Sequence, residues 1–320
     1  MGQQGTAGAA QATRRDVRFR HFDVRVVRAR RLSPSFMRVT FTGDDLDRFG
    51  VGGFDQRIKV ILAGPSGSLD DVPTGDDWYA RWRALPADRR PVVRTYTVRA
   101  ARPRAAEVDI DFVLHGLDGG HAGPAARWAA AVRPGDRALL LGPDRPGGGR
   151  AWGCEWAPPP DATHLVIAGD ETAAPAACAV LEALPTGVRA TALLEVPLAA
   201  DVLPVAAPAG VDLRWLPRSG GDHAPARPHG ALLAAAVRAE VARIGPAATG
   251  AAPPDLDDDD TDLLWDVPDA RAGVGGVYVW LAGEAGVVRA LRGHLVGEVG
   301  LPRGSVACMG YWRQGRSEHD

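Results

Sequence analysis

The chain has 320 residues, of which 46% are hydrophobic and 24% charged, and a formal net charge of -2. That length suits two domains of ordinary size, and so near a balance of charge argues against a nucleic-acid binder, which needs a basic field. No run of about 18 apolar residues is present to insert in a membrane, and Cys154, Cys178 and Cys308 lack the paired spacing of a zinc or iron–sulfur motif.

Residues 1–15 read as a flexible tail. The first 22 residues hold no apolar signal core, so a cytoplasmic location with reduced thiols is expected. Met1-Gly2-Gln3-Gln4-Gly5-Thr6 fits a loose myristoylation pattern and Arg14-Arg15 lacks the hydrophobic stretch of a twin-arginine signal; both are better read as tail.

A first domain is expected over 16–150. Segments 21–30 and 37–42, rich in β-branched and aromatic residues and separated by Ser33-Pro34, predict a hairpin, and 57–62 predicts another strand. Along 107–114, Val108, Ile110, Phe112 and Leu114 alternate with Glu107, Asp109 and Asp111, and 138–141 closes the set before Gly142-Pro143. Six or so short strands with few helices predict a small antiparallel β-barrel.

Two segments of this domain carry candidate chemistry. Alternation puts Arg94 and Tyr96 on one strand face, roughly 6 to 7 Å apart, so that a cation and a stacking aromatic project together. The pair suits a ligand with an anionic and a flat part, although in isolation it also reads as an ordinary barrel strand. Gly123-Pro124 starts a helix in the favoured way, and the unpaired amides of its first turn would face an anion. Arg127 lies in that turn, where the helix dipole disfavours a cation unless an anion sits between them.

Residues 144–160, dense in Gly and Pro, mark a boundary. Beyond it, strands at 163–168, 188–196, 211–216, 277–282 and 305–309 alternate with helices at 171–184, 231–244 and 285–299. This predicts an α/β domain over 160–320 with a parallel sheet. Segments 220–229 and 245–268 read as loops, the second carrying Asp257-Asp258-Asp259-Asp260 as a solvated acidic run without assigned chemistry. Gly169-Asp170-Glu171-Thr172 follows a buried strand and opens a helix, where parallel sheets bind ligands, but it is not the Gly-x-Gly-x-x-Gly fingerprint. Asp170 and Thr172 also read as simple helix caps, a role compatible with bordering a ligand. Gly283 and Glu284 end another apolar strand in the same way.

Arg94-Thr95-Tyr96-Thr97-Val98-Arg99, Val113-Leu114-His115-Gly116, Gly123-Pro124-Ala125-Ala126-Arg127-Trp128, Gly169-Asp170-Glu171-Thr172-Ala173-Ala174-Pro175-Ala176, Ala282-Gly283-Glu284 and Gly310-Tyr311-Trp312-Arg313 follow one another along the chain. Together they resemble the siderophore-interacting protein family, flavin-dependent ferric-siderophore reductases related to the ferredoxin reductases. The resemblance implies FAD held between barrel and α/β domain, NADPH or NADH as electron donor, and a ferric siderophore as substrate, with no metal ligand or general acid in the protein. An electron-donor protein is a further possible partner.

By the same resemblance Arg94 reaches the flavin phosphates, Tyr96 stacks on the isoalloxazine, Thr97 approaches its N5 edge and Val98 completes the strand motif. In an ideal strand Thr97 points away from Tyr96, so a twist, a bulge or a backbone contact is required. The turn at His115 lies beside the flavin, though His115 also reads as a neutral barrel-edge histidine. Gly123, Ala125, Ala126 and Arg127 surround the phosphates; the family often has Ser where Ala126 stands, which leaves more of the contact to backbone amides. Trp128 reads as helix packing before it reads as a cofactor contact. Gly169, Asp170, Glu171, Thr172, Gly283 and Glu284 border the nicotinamide, and Tyr311 and Trp312 either cover the flavin or anchor the C-terminus. Lys59, Arg127 and Arg313 are the candidate cations for an anionic chelate. The competing readings are a general flavin reductase or electron-transfer oxidoreductase, and a non-catalytic siderophore-binding protein.

Overall fold

A computed structural model describes residues 19–117, 122–145, 152–219, 226–245, 264–268 and 276–315. The tail at 1–15, the acidic run Asp257–Asp260 and much of the loop at 220–229 lie outside the described residues.

The first half is an antiparallel sheet of seven strands: β1 (Phe19–Ser33), β2 (Phe36–Thr42), β3 (Arg57–Leu62), β4 (Val92–Thr97), β5 (Ala100–Arg102), β6 (Glu107–Val113) and β7 (Arg137–Pro143), in the order β4-β3-β7-β1-β2-β6-β5. The hairpin expected around Ser33-Pro34 forms, with Ser33 opposite Phe36. Alternation along the strands puts Phe22, Val24, Val39, Phe41, Val60, Ile110, Phe112 and Leu140 inside, all without solvent exposure. The sheet curls until Tyr96 on one edge strand lies 4.4 Å, ring to ring, from Phe112 beside the other edge, which makes a half-barrel. The helix α2 (Pro124–Ala131) packs on this core through Ala125 and Ala129. A short helix not foreseen in the sequence, α1 (Trp78–Arg83), covers the outer face of β3, β4 and β7, where Trp82 packs among Ile61, Val93 and Leu141. At six residues it is too short for a periodic pattern to show.

The second half is a six-stranded sheet built of β8 (Ala162–Gly169), β9 (Ala190–Val196), β10 (Val211–Pro217), β11 (Trp265–Asp266), β12 (Gly276–Glu284) and β13 (Val306–Trp312), in the order β10-β9-β8-β12-β13-β11. The helices α3 (Ala174–Ala183), α4 (Ala231–Ile244) and α5 (Ala285–Arg292) accompany it. Five strands are parallel, but β11 pairs antiparallel with β13 inside the segment read as loop 245–268, so the sheet is mixed. Two residues flanked by acidic and Gly/Pro-rich sequence give no alternation to detect. The helix expected from 171 begins at Ala174, because Asp170 holds the Thr172 and Ala173 amides in a turn before it. The helix expected over 285–299 changes at Gly293, a weak helix former, into a π-helical turn over Gly293–Glu298.

Polar clamps join the halves. Asp201, fully buried, accepts bonds from Ser33 Oγ (2.7 Å), Ser35 N (2.8 Å) and Ser35 Oγ (2.8 Å). Arg99 pairs with Glu182 of α3 (2.6 Å), and Asp55 accepts from Trp280 Nε1 of β12 (3.2 Å). Phe36 and Val113 from the barrel share an apolar cluster with Ala174, Val196 and Leu203. The orientation of the two sheets therefore rests on buried carboxylates as well as apolar area.

Candidate functional site between the half-barrel and the α/β sheet

On the barrel side, β3 and β4 run Arg57–Leu62 against Thr97–Val92 without a register shift. Directly opposed residues share a face, so Tyr96 and Arg94 lie with Ile58 and Val60, while Thr97 and Thr95 lie with Arg57 and Lys59 on the other. No bulge turns Thr97 toward Tyr96; it is buried at the strand end, and an approach from there to a ligand on Tyr96 runs through backbone. Val98 is buried in the barrel core. Lys59 Nζ donates to Thr95 Oγ1 at 2.6 Å, which puts this cation across β4 from Arg94 and Tyr96. Arg94 is half-buried and donates to the Val93 carbonyl (2.8 Å).

An aromatic stair leads from β4 to α2. Tyr96 meets Phe112, Phe112 meets Trp128 at 5.6 Å, and Trp128 stacks on Phe41 at 6.2 Å. Trp128 thus packs α2 against the barrel core. Gly123 caps α2 in extended conformation (φ -66°, ψ 162°) without a side-chain cap, and Pro124 follows. The amides of Ala125 and Ala126 have no intrahelical acceptor by the geometry of a helix start. A Cβ built on Gly123 would meet nothing within 4 Å. Arg127 folds back over this turn onto the Ala122 carbonyl. An open helix start, two arginines and a half-buried tyrosine suit a pyrophosphate joined to a flat ring, so the residues fit FAD. Ala126 is buried, leaving the anion contact to the backbone.

On the other side the strand ends of the parallel sheet converge on Asp170. Its Oδ1 accepts from Thr172 N (2.8 Å) and Thr172 Oγ1 (2.5 Å), and its Oδ2 from Glu284 N (2.8 Å) and Trp312 Nε1 (2.9 Å). Asp170 thus caps the turn, as one reading had it, and also ties the ends of β8, β12 and β13. The glycines follow from this packing. A Cβ on Gly283, where φ is +142°, would come 2.7 Å from the Asp170 carboxylate, and one on Gly169 would come 2.5 Å from Ala173 Cβ. Glu284 caps α5, accepting from Val287 N at 2.9 Å.

Glu171 is held in a bidentate pair with Arg218 (2.7 and 2.8 Å). Burial opposes its charge, but Arg218 and then His229 outweigh burial and lower its pKa to about 2. His229 Nε2 lies 3.4 Å from Asp170 Oδ2 and 3.7 Å from Glu171 Oε2, aligned for ion pairing and not for a hydrogen bond. Burial lowers its basicity, yet the two carboxylates prevail and raise its pKa to about 10. His229, Arg218 and the buried Glu195 are functional candidates that the sequence reading passed over. The first sits in a segment read as loop, and the one local signal was a charge inside the apolar strand β9.

Trp312 brings the two sides together. Its ring stacks 6.3 Å from exposed His115 of the barrel and stands edge-on 5.2 Å from His229. Tyr311 turns the other way, stacking on Trp265 at 6.0 Å, and half-buried Arg313 follows the strand. A cavity of about 350 Å³ between the starts of α4 and α5 adjoins His229 and Glu284.

The model of the siderophore-interacting FAD-binding domain matches residues 25–147, and that of the siderophore-interacting protein matches 162–315. The chain belongs to the siderophore-interacting protein family. A siderophore utilization protein from T. fusca is similar in structure, with a TM-score of 0.66 at 30% identity over 95% of this chain and 98% of that one. The ferric vibriobactin reductase ViuB of Vibrio cholerae is 28% identical, over 91% of this chain and 89% of its own. An NADPH-dependent ferric-chelate reductase of Escherichia coli is 35% identical over 42% of this chain and 48% of its own. The T. fusca protein thus shares the architecture of both sheets, and the half-barrel is the part matched by the FAD-binding domain. Among the described residues no helix is long and apolar enough to cross a membrane.

Proposed function

We propose that this protein is an FAD-containing, NAD(P)H-dependent reductase of ferric siderophores that releases iron as Fe(II) in the cytoplasm. The observation that carries the reading is the open start of α2 under Arg127, joined through Trp128, Phe112 and Tyr96 to the strand that bears Arg94, on a barrel whose His115 stacks on Trp312 of the second sheet. The names of the Vibrio cholerae and Escherichia coli relatives support a ferric chelate as substrate and NADPH as donor.

In this reading Ala125 N, Ala126 N, Arg94 and Arg127 hold the pyrophosphate, and Tyr96 supports the ring. Bound FAD supplies the conversion of a two-electron hydride from NAD(P)H into two one-electron transfers, one to each of two ferric chelates. Asp170, Gly283 and Glu284 fix the shape of the nicotinamide side, and Trp312 with His115 closes the gap between the sheets against water. Arg127 and Arg313 attract the anionic chelate, and Lys59, on the opposite face of β3 and β4 from Tyr96, adds to the positive field at longer range. Reduction weakens the grip of hard anionic oxygens on iron, so release needs no protein ligand to the metal.

The test is direct. The purified protein should be yellow, bleach anaerobically with NADPH or NADH, and regain colour on adding a ferric siderophore with Fe(II) trapped by a ferrous chelator. A colourless protein that binds ferric siderophore would support a binding module instead, and turnover of free flavin without ferric siderophore would support a general flavin reductase.

A further inference from the structure

Among the described residues, the four helices of eight residues or more differ at their starts. That of α2 is open. On the carboxyl-end edge of the second sheet, a buried carboxylate takes a first-turn amide of α4 and of α5, and a third takes the amides of the turn that leads into α3. Asp170, 1% exposed, takes the Thr172 and Ala173 amides ahead of α3. Glu195, 0% exposed, takes the Gly230 (2.7 Å) and Leu233 (2.8 Å) amides of α4. Glu284, 9% exposed, takes the Val287 amide of α5.

A helix start attracts phosphate because its amides are unpaired and its dipole is positive there. A carboxylate seated on those amides removes the donors and puts negative charge where the phosphate would lie. Two of the cations beside these starts are already engaged, while exposed Arg238 lines the cavity from about two turns into α4. Arg218 is spent on Glu171 and on Glu195 (3.2 Å), and His229 lies between Asp170 and Glu171.

We propose that Asp170, Glu195 and Glu284 close this edge to a dinucleotide pyrophosphate, so that NAD(P)H is held by its nicotinamide half and its adenylate half adds little affinity. The inference rests on the reading of the protein as an NAD(P)H-dependent flavin reductase. It assigns to three carboxylates a role in donor specificity that follows from the amides they hold.

Two measurements on the FAD-loaded protein test it. Anaerobic flavin reduction by NADPH and by reduced nicotinamide mononucleotide, which lacks the adenylate, should give kcat/KM values within about tenfold of each other; a larger advantage for NADPH overturns the proposal. Calorimetric titration with 2′,5′-ADP should show no saturable binding below about 1 mM, and a tighter complex overturns it too. Glu284→Ala, checked for retained FAD, frees the Val287 amide and should improve 2′,5′-ADP binding about threefold or more. Unchanged or weaker binding in that variant removes Glu284 from the role. If neither nucleotide bleaches the flavin while the dithionite-reduced protein still reduces a ferric siderophore, the closed edge stands and the NAD(P)H dependence falls. Failure of the dithionite-reduced protein to reduce any ferric siderophore instead defeats the proposed substrate.

Discussion

Replacing Asp170 by Asn tests whether one carboxylate holds the site together. The carboxylate offers acceptors on both oxygens, to Thr172 N and Ala173 N on one and to Glu284 N and Trp312 Nε1 on the other. Asn has a single acceptor oxygen, so whichever way it turns, its NH2 group faces two N–H donors. Leaving a buried donor unsatisfied costs about 1–3 kcal/mol, so Asp170→Asn should lose about 2–5 kcal/mol of stability. Urea unfolding followed by tryptophan fluorescence measures this as a lower midpoint at similar slope. In a Trp312→Phe background the ring remains without its N–H, and the cost of Asp170→Asn should shrink by about 1–2 kcal/mol if Trp312 is a true partner. A loss below about 1 kcal/mol, or full additivity of the two changes, would refute the view that Asp170 joins the three strand ends.

Arg94→Ala should weaken FAD by about 10- to 150-fold, the value of a charge-assisted contact of about 1.5–3 kcal/mol; unchanged flavin affinity removes Arg94 from the phosphates. Gly283→Ala should cost about 2–4 kcal/mol, read as a lowered unfolding midpoint, because its Cβ would collide with the Asp170 carboxylate at an unfavourable φ. Glu171, with its pKa lowered from 4.5 to about 2, stabilises the fold fully above pH 4.5 and loses that contribution as pH falls toward 2. Glu171→Gln should therefore flatten the acid side of a stability–pH curve, and an unchanged slope there would exclude the Glu171–Arg218 pair as its source. Lys59→Ala should raise KM for an anionic ferric siderophore, with a difference that shrinks as salt is raised, and leave flavin reduction nearly unchanged. Loss of FAD from that variant would assign Lys59 to the barrel through its bond to Thr95.

Local pattern was enough for most elements. The period-two run through Val108, Ile110 and Phe112 and the apolar strand ending at Gly169 each announce their geometry within a few residues, because side-chain direction follows from the backbone repeat. The start of α2 was legible for the same reason, since Gly123-Pro124 acts on the residues beside it. What the sequence could not show depends on residues far apart along the chain. Asp170 reads as a local cap, yet two of its five hydrogen bonds come from Glu284 and Trp312, more than a hundred residues away. Glu195 looked like part of a strand until folding brought Gly230 and Leu233 to it. His229 had no pattern at all and gained its charge from the carboxylates set around it. A carboxylate has no preferred partner in the sequence, only donors that tertiary structure brings within about 3 Å, so the closing of one edge of the molecule and the opening of the other were decided there.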